Sequence, residues 1–424
     1  MTGVLILEFL ILIIFGIPIA FALGIAALVA IVNSGAFSPV VMVQRMTNGI
    51  NSFTLVAVPL FIVAGRLAGE TGLAKRLVRL ATTLVGHVPG GLSLVTVLAS
   101  MFFGGISGSA AADASCLGSL LIPAMEKEKY DPEYAGGVMA PAATIGILIP
   151  PSIPMCIYGV TVGVSIGALF MGGLIPGILV GFFQMFIAYL ISKKRKYPKL
   201  PRAKLIEVWK AFKDSFLSLF MPVFMLAGVA FGIATPTEIG VIAVIYALIL
   251  GVFVYHEYDI RQIPSLLVEC GVQTAVACIV VAFASVVSWM FAMDHLPMVL
   301  LGVLSKVGSP IIVLLIINVF LLFVGCLIDL VPAMILFAPI LLPVVTKMGI
   351  DPIQFGAIMT CNLAIGLVTP PVGTCLFISS SIADVPMLKL FKEALPFVLC
   401  NLFVLLLVTF WQPVSMFVPR LLGY

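Results

Sequence analysis

Charge is scarce in this chain: Asp, Glu, Lys and Arg make up 9% of its 424 residues, where soluble domains carry about 25%. Its one polar run, Lys193 to Lys213, is too short to form a soluble domain. A soluble catalytic or nucleic-acid-binding module is therefore excluded, and no nucleic acid is expected as a partner. Histidine is scarcer still. His87, His256 and His295 sit at the ends of apolar segments, where snorkelling or an interfacial hydrogen bond accounts for each. Cysteines are present at 116, 156, 270, 278, 326, 361, 375 and 400, all in or beside apolar runs. None forms a Cys-x-x-Cys pair and none has a histidine at ligand spacing, so they read as reduced, helix-packing residues. Neither a metal centre nor a cofactor is expected. No ATP-binding motif occurs either.

Apolar sequence is what remains: 62% hydrophobic residues and a mean hydropathy of +1.26 define an all-α, polytopic transmembrane protein. The segments are 4–32, 53–70, 92–103, 135–149 with 153–163, 165–190, 216–234, 237–256, 266–291, 309–323, 353–369 with 372–383, and 394–419. Residues 4–32 are too long for the core of a signal peptide and lack a basic flank; they read as a retained helix, or one broken at Gly16-Ile17-Pro18. Residues 73–86 alternate Leu73, Leu77, Leu80 and Leu84 with Lys75, Arg76 and Arg79, the pattern of an interfacial helix, with a weaker counterpart near 294–308. Nine Lys and Arg between Lys193 and Lys213 assign that segment to the cytoplasm.

The chain is written twice. Asp131-Pro132, Gly146 and Pro150-Pro151 recur as Asp351-Pro352, Gly366 and Pro370-Pro371, always 220 residues on (131+220=351), and Pro123, Gly136 and Met139 return as Pro343, Gly356 and Met359. This divides the chain into a first transmembrane repeat, 1–192, a basic connector, 193–215, and a second repeat, 216–424. Each Pro-Pro pair removes two donors and breaks a helix, at 135–163 and at 353–383. Upstream of each break lies an interrupted apolar stretch, about 103–125 and 323–345, whose halves are too short to span and fit re-entrant helical hairpins. Breaks of this kind survive in lipid only where protein or a polar cavity surrounds them, and paired ones point to a secondary transporter's binding site. Inverted repeats need an odd number of crossings between the hairpins. The repeats are expected to be inverted and the segments above count six, so on that expectation one is misread, 216–256 being the candidate because 224–252 aligns with 4–32.

Two constellations follow. Ser107-Gly108-Ser109 faces Gly146 and Pro150-Pro151-Ser152; Gly325 and Asp329 face Asn362, Gly366, Thr369, Pro370-Pro371 and Gly373-Thr374. Unwound carbonyls and half-helix ends suit a dehydrated Na⁺, which assigns Ser107, Gly108, Ser109, Gly146, Pro150, Gly325, Gly366 and Thr369 to the ion. Ser109, Pro151, Ser152, Asp329, Asn362, Pro371, Gly373 and Thr374 are assigned to substrate, with Arg66 as a cation for an organic anion. The plainer account of Arg66 is an i,i+4 pair with Glu70. Asp329 lies at the second tip, where an intramembrane carboxylate is functional by default; Asp113, four residues past the first tip, reads as a cap or brace. Gly105-Ile106-Ser107-Gly108 has the Gly-x-Ser-Gly form of an intramembrane serine hydrolase, but no histidine lies in a span to serve as base, and Leu327 replaces Ser107 in the second copy. The chain is not expected to be an enzyme.

Over nearly its whole length the chain resembles the large membrane subunit of tripartite ATP-independent periplasmic (TRAP) transporters. The resemblance rests on Ser52-Phe53-Thr54-Leu55, Pro59-Leu60-Phe61, Gly86-His87 with Pro89-Gly90-Gly91, Phe103 through Ser109, Ile122-Pro123-Ala124-Met125, Ile149-Pro150-Pro151-Ser152, Pro176-Gly177, Thr235-Pro236-Thr237-Glu238 and Gly366 through Gly373. It implies an elevator-type fold similar to sodium-coupled dicarboxylate carriers, Na⁺-driven import of an organic acid, and a place in the bacterial inner membrane. It also implies a soluble periplasmic binding protein as donor and a small four-helix membrane subunit, expected here as a separate polypeptide. Substrates in the family include C4-dicarboxylates, sialic acids and sugar acids. Arg66 departs from the acidic or polar residue expected after Ala64-Gly65, and Ala111-Ala112-Asp113 is more like the sialic-acid members, so a sialic acid is the expected cargo. A self-sufficient carrier of the sodium/dicarboxylate type is the alternative.

Overall fold

The computed structural model describes residues 1–306 and 309–424, and among them every regular element is helical. Eight of these helices are long and apolar enough to cross a membrane. Local signals set their ends. Helix Ile153–Val162, for example, starts on Ser152, whose hydroxyl accepts from the Met155 N–H, carries a proline in its first turn and stops at Gly163 with φ +74°. Residues 4–32 are two helices, Thr2–Ile14 and Ile19–Ser34, parted at Gly16 (φ +78°) as one of the two readings required.

Each repeat holds a hairpin and a broken helix. The first hairpin pairs an outer arm, Gly91–Ser107, with an inner arm, Ala110–Lys127; the second pairs Pro310–Leu327 with Leu330–Lys347. Their arms have 17 or 18 residues, about 27 Å at 1.5 Å per residue. This corrects two expectations. Residues 92–103 and 309–323 are not separate spans but the greater part of the outer arms. The hairpin halves are not too short to span either, since both arms of the second hairpin are among the eight membrane-length helices. In the first outer arm Gly104-Gly105 stays helical, and Gly104 lies backbone-to-backbone against Gly146, a contact no Cβ would allow. Nor is 216–256 the misread segment, since Leu205–Ala230 and Pro236–Val254 are two distinct helices. With 309–323 moved into its hairpin, five apolar elements separate the hairpins: the first broken helix, Ile166–Arg195, Leu205–Ala230, Pro236–Val254 and Ile263–Met293. That is the parity an inverted pair requires.

The first broken helix runs Pro132–Ala143, tightens over Thr144–Ile147, loses helical form at 148–152 and resumes at Ile153–Val162. The second runs Pro352–Gly366, opens at 367–373 and resumes at Thr374–Ala383. Both Pro-Pro peptide bonds are cis. The halves exchange partners across the repeats. Thr374–Ala383 packs on Pro132–Ala143 and on the first inner arm, while Ile153–Val162 packs on the second inner arm. The long helices Ile166–Arg195 and Met387–Phe410 pack on one another and on the broken helices.

An outer set surrounds this centre. Val40–Ile50 and Ala57–Glu70 both pack on Ile263–Met293. Leu73–Val85 is amphipathic as expected, with Leu73, Leu77 and Leu80 buried and Lys75 and Arg79 exposed. Its counterpart is Leu296–Ser305; of the span 294–308, residues 307 and 308 lie outside the described residues. The basic connector is mostly helical, because Ile166–Arg195 runs into it and Leu205–Ala230 begins within it, leaving only 196–204 irregular.

Candidate functional site

Both hairpin tips and both breaks meet at one cavity of about 110 Å³. Gly108, Ser109, Ala110 and Ala111 line it from the first tip, Asp329, Leu330 and Val331 from the second, and Ile147, Ile153, Pro154, Leu367, Thr374 and Cys375 from the breaks. Four of these groups are helix beginnings: Ala110, Ile153, Leu330 and Thr374 each open a helix. Each N-terminus carries roughly half a positive charge and unpaired N–H groups, so their convergence suits an anion although no Lys or Arg lines the cavity.

At the first tip, Gly108 takes φ +61° and its carbonyl accepts from the Ile153 N–H (3.2 Å), fastening the tip to the break. Ser109 caps the inner arm, accepting from the Ala112 N–H at 3.4 Å. Ser107 is buried and donates to Asp113 Oδ1. Asp113 is fully buried, and its Oδ2 has no hydrogen-bond partner. A Cβ on Gly146 would run into that oxygen. Asp113 therefore braces the tip, as its position suggested, but it also offers an unpaired carboxylate oxygen in the interior, which the sequence did not reveal. Such a group is costly unless a cation or donor meets it, so Ser107 Oγ and Asp113 Oδ2 fit a Na⁺ ligand set.

At the second tip, Asp329 precedes its helix without a side-chain capping bond. Its Oδ1 accepts instead from Thr374 Oγ1 at 3.1 Å, across the cavity wall. The Val372 N–H donates to the Cys326 carbonyl (3.3 Å), again joining hairpin to break. Gly325 and Gly366 are packed so closely that a Cβ on Gly366 would strike the Gly325 carbonyl. Thr369, in the break, donates its Oγ1 to the Ile365 carbonyl at the end of the preceding helix, at 2.7 Å. Gly373 (φ +46°) turns the chain into the helix that Thr374 opens.

The structure thus brings most of the expected residues to one place. Ser109, Gly108, Asp329 and Thr374 line the cavity, and Ser107, Gly146, Pro150, Pro151, Gly325, Gly366, Thr369, Pro371 and Gly373 form the tips and breaks around it. Three stand apart. Ser152 points away, donating to the Ile147 carbonyl (2.6 Å) while capping its helix. Asn362 donates to the Asn318 carbonyl (3.0 Å) and Oδ1 (2.9 Å), tying the second broken helix to the second outer arm. Arg66 is outside the cavity lining, held by Glu70 (2.9 Å) and Glu269 (2.8 Å). Sequence reasoning also passed over two buried struts. Gln184 donates to the Pro141 carbonyl and to Asn401 Oδ1, whose amide bonds Thr144; Asn318 donates to Thr409 Oγ1. Their signal was there: amides in the middle of apolar segments.

A helical core in which two hairpins and two broken helices close on one cavity is the architecture of a secondary transporter. It resembles the solved YdaH transporter of Alcanivorax borkumensis, with a TM-score of 0.61 over 88% of this chain and 87% of that one, at 15% identity. The chain belongs to the tripartite ATP-independent periplasmic transporter DctM component family, whose model matches residues 6–414. It is 39% identical over 411 residues, 96% of each protein, to the sialic acid TRAP transporter large permease SiaM of Vibrio cholerae. It is also 39% identical over 404 residues to the isethionate TRAP transporter permease DctMQ of Oleidesulfovibrio alaskensis, covering 95% of this chain and 64% of that protein. These relatives are named as permeases, not enzymes, so the hydrolase reading of Ser107 falls.

Proposed function

We propose that this chain is the transport subunit of a sodium-coupled importer of an organic acid of the sialic-acid or C4-dicarboxylate type. Its substrate comes from a periplasmic binding protein, and it works in the bacterial inner membrane beside a small four-helix subunit. One observation carries this reading: four helix N-termini converge on a cavity closed by two hairpin tips. The helix ends attract the carboxylate, and Asp329 accepts from a substrate hydroxyl or amide. Na⁺ neutralises Asp113 beside Ser107 and is released to the low-Na⁺ side. The tips, breaks and long helices pack as one unit against the outer set, which supports elevator movement of that unit and two repeats of opposite orientation. Sialic acid is favoured by the relative SiaM, although the isethionate permease matches at the same identity.

Uptake of labelled sialic acid and succinate into proteoliposomes tests the reading. The chain is reconstituted with or without the small subunit and binding protein, with Na⁺ or K⁺ outside. Uptake is expected only with all three proteins and Na⁺. Equal uptake in the two salts overturns the coupling; uptake by the chain alone makes it a self-sufficient carrier.

A further inference from the structure

Away from the cavity, an apolar groove of about 830 Å³ opens beside the amphipathic helix Leu73–Val85. Leu80 and Leu84 form one wall, Ile206, Trp209 and Phe212 the other, and Phe102 of the first outer arm contributes between them. The groove is open: Ile206 is 57% and Trp209 62% exposed. Its rim is basic. Lys210 and Lys213 follow Ile206 and Trp209 by four residues and so lie along the same side of the helix, and Lys204 precedes that helix. These three lysines are exposed and, among the described residues, make no ion pair; Arg79 nearby is spent on Asp214 at 3.1 Å. An open apolar trough flanked by exposed lysines that make no ion pair, on the side assigned to the cytoplasm, matches a ligand with a hydrocarbon tail and an anionic head.

We infer that this groove binds an anionic phospholipid, its acyl chain along Phe102 and Trp209 and its headgroup attracted to the basic flank that Lys204, Lys210 and Lys213 supply. Phe102 belongs to a hairpin and Trp209 to an outer helix, so the lipid fills the seam between an element that closes the cavity and one that does not. The inference does not depend on what is transported.

Native mass spectrometry of the purified full chain tests it, with phosphatidylglycerol and phosphatidylcholine of identical acyl chains as probes. Wild type is expected to retain phosphatidylglycerol at least fivefold better, each Lys→Gln change at the three lysines costing about fivefold at low salt without altering phosphatidylcholine. Leu84→Trp, which fills the groove, lowers retention of both; the exposed lysine variants remain decisive should it fold poorly. Equal retention of the two lipids by wild type, or undiminished phosphatidylglycerol in the triple lysine variant, overturns the site. Displacement of the lipid by the small membrane subunit makes the groove a protein interface instead.

Discussion

At the first tip Ser107 donates to Asp113, and Asp113 faces Gly146; 220 residues later those positions are Leu327, Ala333 and Gly366. At the second tip Asp329 takes a bond from Thr374, and the matching positions in the first repeat are Ser109 and Pro154. The glycine that lets a hairpin meet a broken helix is kept in both repeats, shifted by one residue on the hairpin side: Gly104 meets Gly146, and Gly325 meets Gly366. The backbone plan is shared and the charge is not. Each tip needs glycine and proline to bring four helix ends together, whereas the carboxylate sits behind the first tip and on the cavity wall at the second. The outer set shows the same freedom. Val40–Ile50 and Ala57–Glu70 part at Asn51-Ser52, where Ser52 and Thr54 bond to each other at 2.8 Å, while the corresponding Ile263–Met293 is continuous.

The largest effects should come from the shared plan. Gly146→Ala drives a methyl into Asp113, and Gly366→Ala drives one into the Gly325 carbonyl. Overpacking of this kind costs about 1–3 kcal/mol, and both variants are expected to lose uptake, with lowered melting temperatures in detergent. A fully active Gly366→Ala beside an inactive Gly146→Ala would mean that only the first close approach matters, and the two tips would not be equivalent even in backbone.

Next in size are the unlike carboxylates. Asp113→Asn should raise the Na⁺ concentration for half-maximal uptake more than tenfold, because the unpaired Oδ2 loses its charge. Asp329→Asn should raise the KM for the acid with a smaller change in Na⁺ dependence, since Asp329 lies on the cavity wall. Uptake measured against Na⁺ at fixed acid, and against acid at fixed Na⁺, separates the two. If the effects are exchanged, the ion belongs to the second tip.

This ranking differs from what the sequence suggests, and the reason is geometric. Pro150-Pro151 and Pro370-Pro371 cannot continue a helix in any surroundings, so both breaks were legible, and the repeat placed both hairpins. What was not legible depends on packing. Residues 92–103 and 309–323 read as segments of their own, but packing makes each the greater part of a longer outer arm, Gly91–Ser107 and Pro310–Leu327. Sequence places Asp113 four residues beyond the tip, but only the fold shows its carboxylate turned back onto Ser107 and Gly146. Asn362 aligns with the break by spacing, yet its amide is used by Asn318.

Hydroxyls at the first tip and in the second break should matter less. Ser109→Ala removes an N-cap, worth about 1 kcal/mol, and a cavity-lining oxygen. Thr369→Val removes a hydroxyl of the second break that is already bonded to the Ile365 carbonyl at the end of the preceding helix. Ser109→Ala is therefore expected to lower the melting temperature by a few degrees and shift the Na⁺ activation curve two- to threefold, an order-of-magnitude expectation from the same capping energy, and Thr369→Val to do neither. A strong Na⁺ defect in Thr369→Val would show that this hydroxyl turns to the ion during transport.

The smallest effect is expected at Arg66, which belongs to neither tip. Its guanidinium is shared by Glu70 and Glu269, with about 42% of the side chain exposed. Pairs exposed to this degree contribute roughly 0–1 kcal/mol, and the corresponding residue in the second repeat, Val286, carries no charge. Arg66→Gln should leave the KM for the acid within twofold and the melting temperature within about two degrees, as expected for a loss of that size. A tenfold rise in KM, with Na⁺ dependence and melting temperature unchanged, would instead mean that Arg66 exchanges its two glutamates for the substrate carboxylate in another state of the cycle. The cavity between the tips would then be only part of the anion's path.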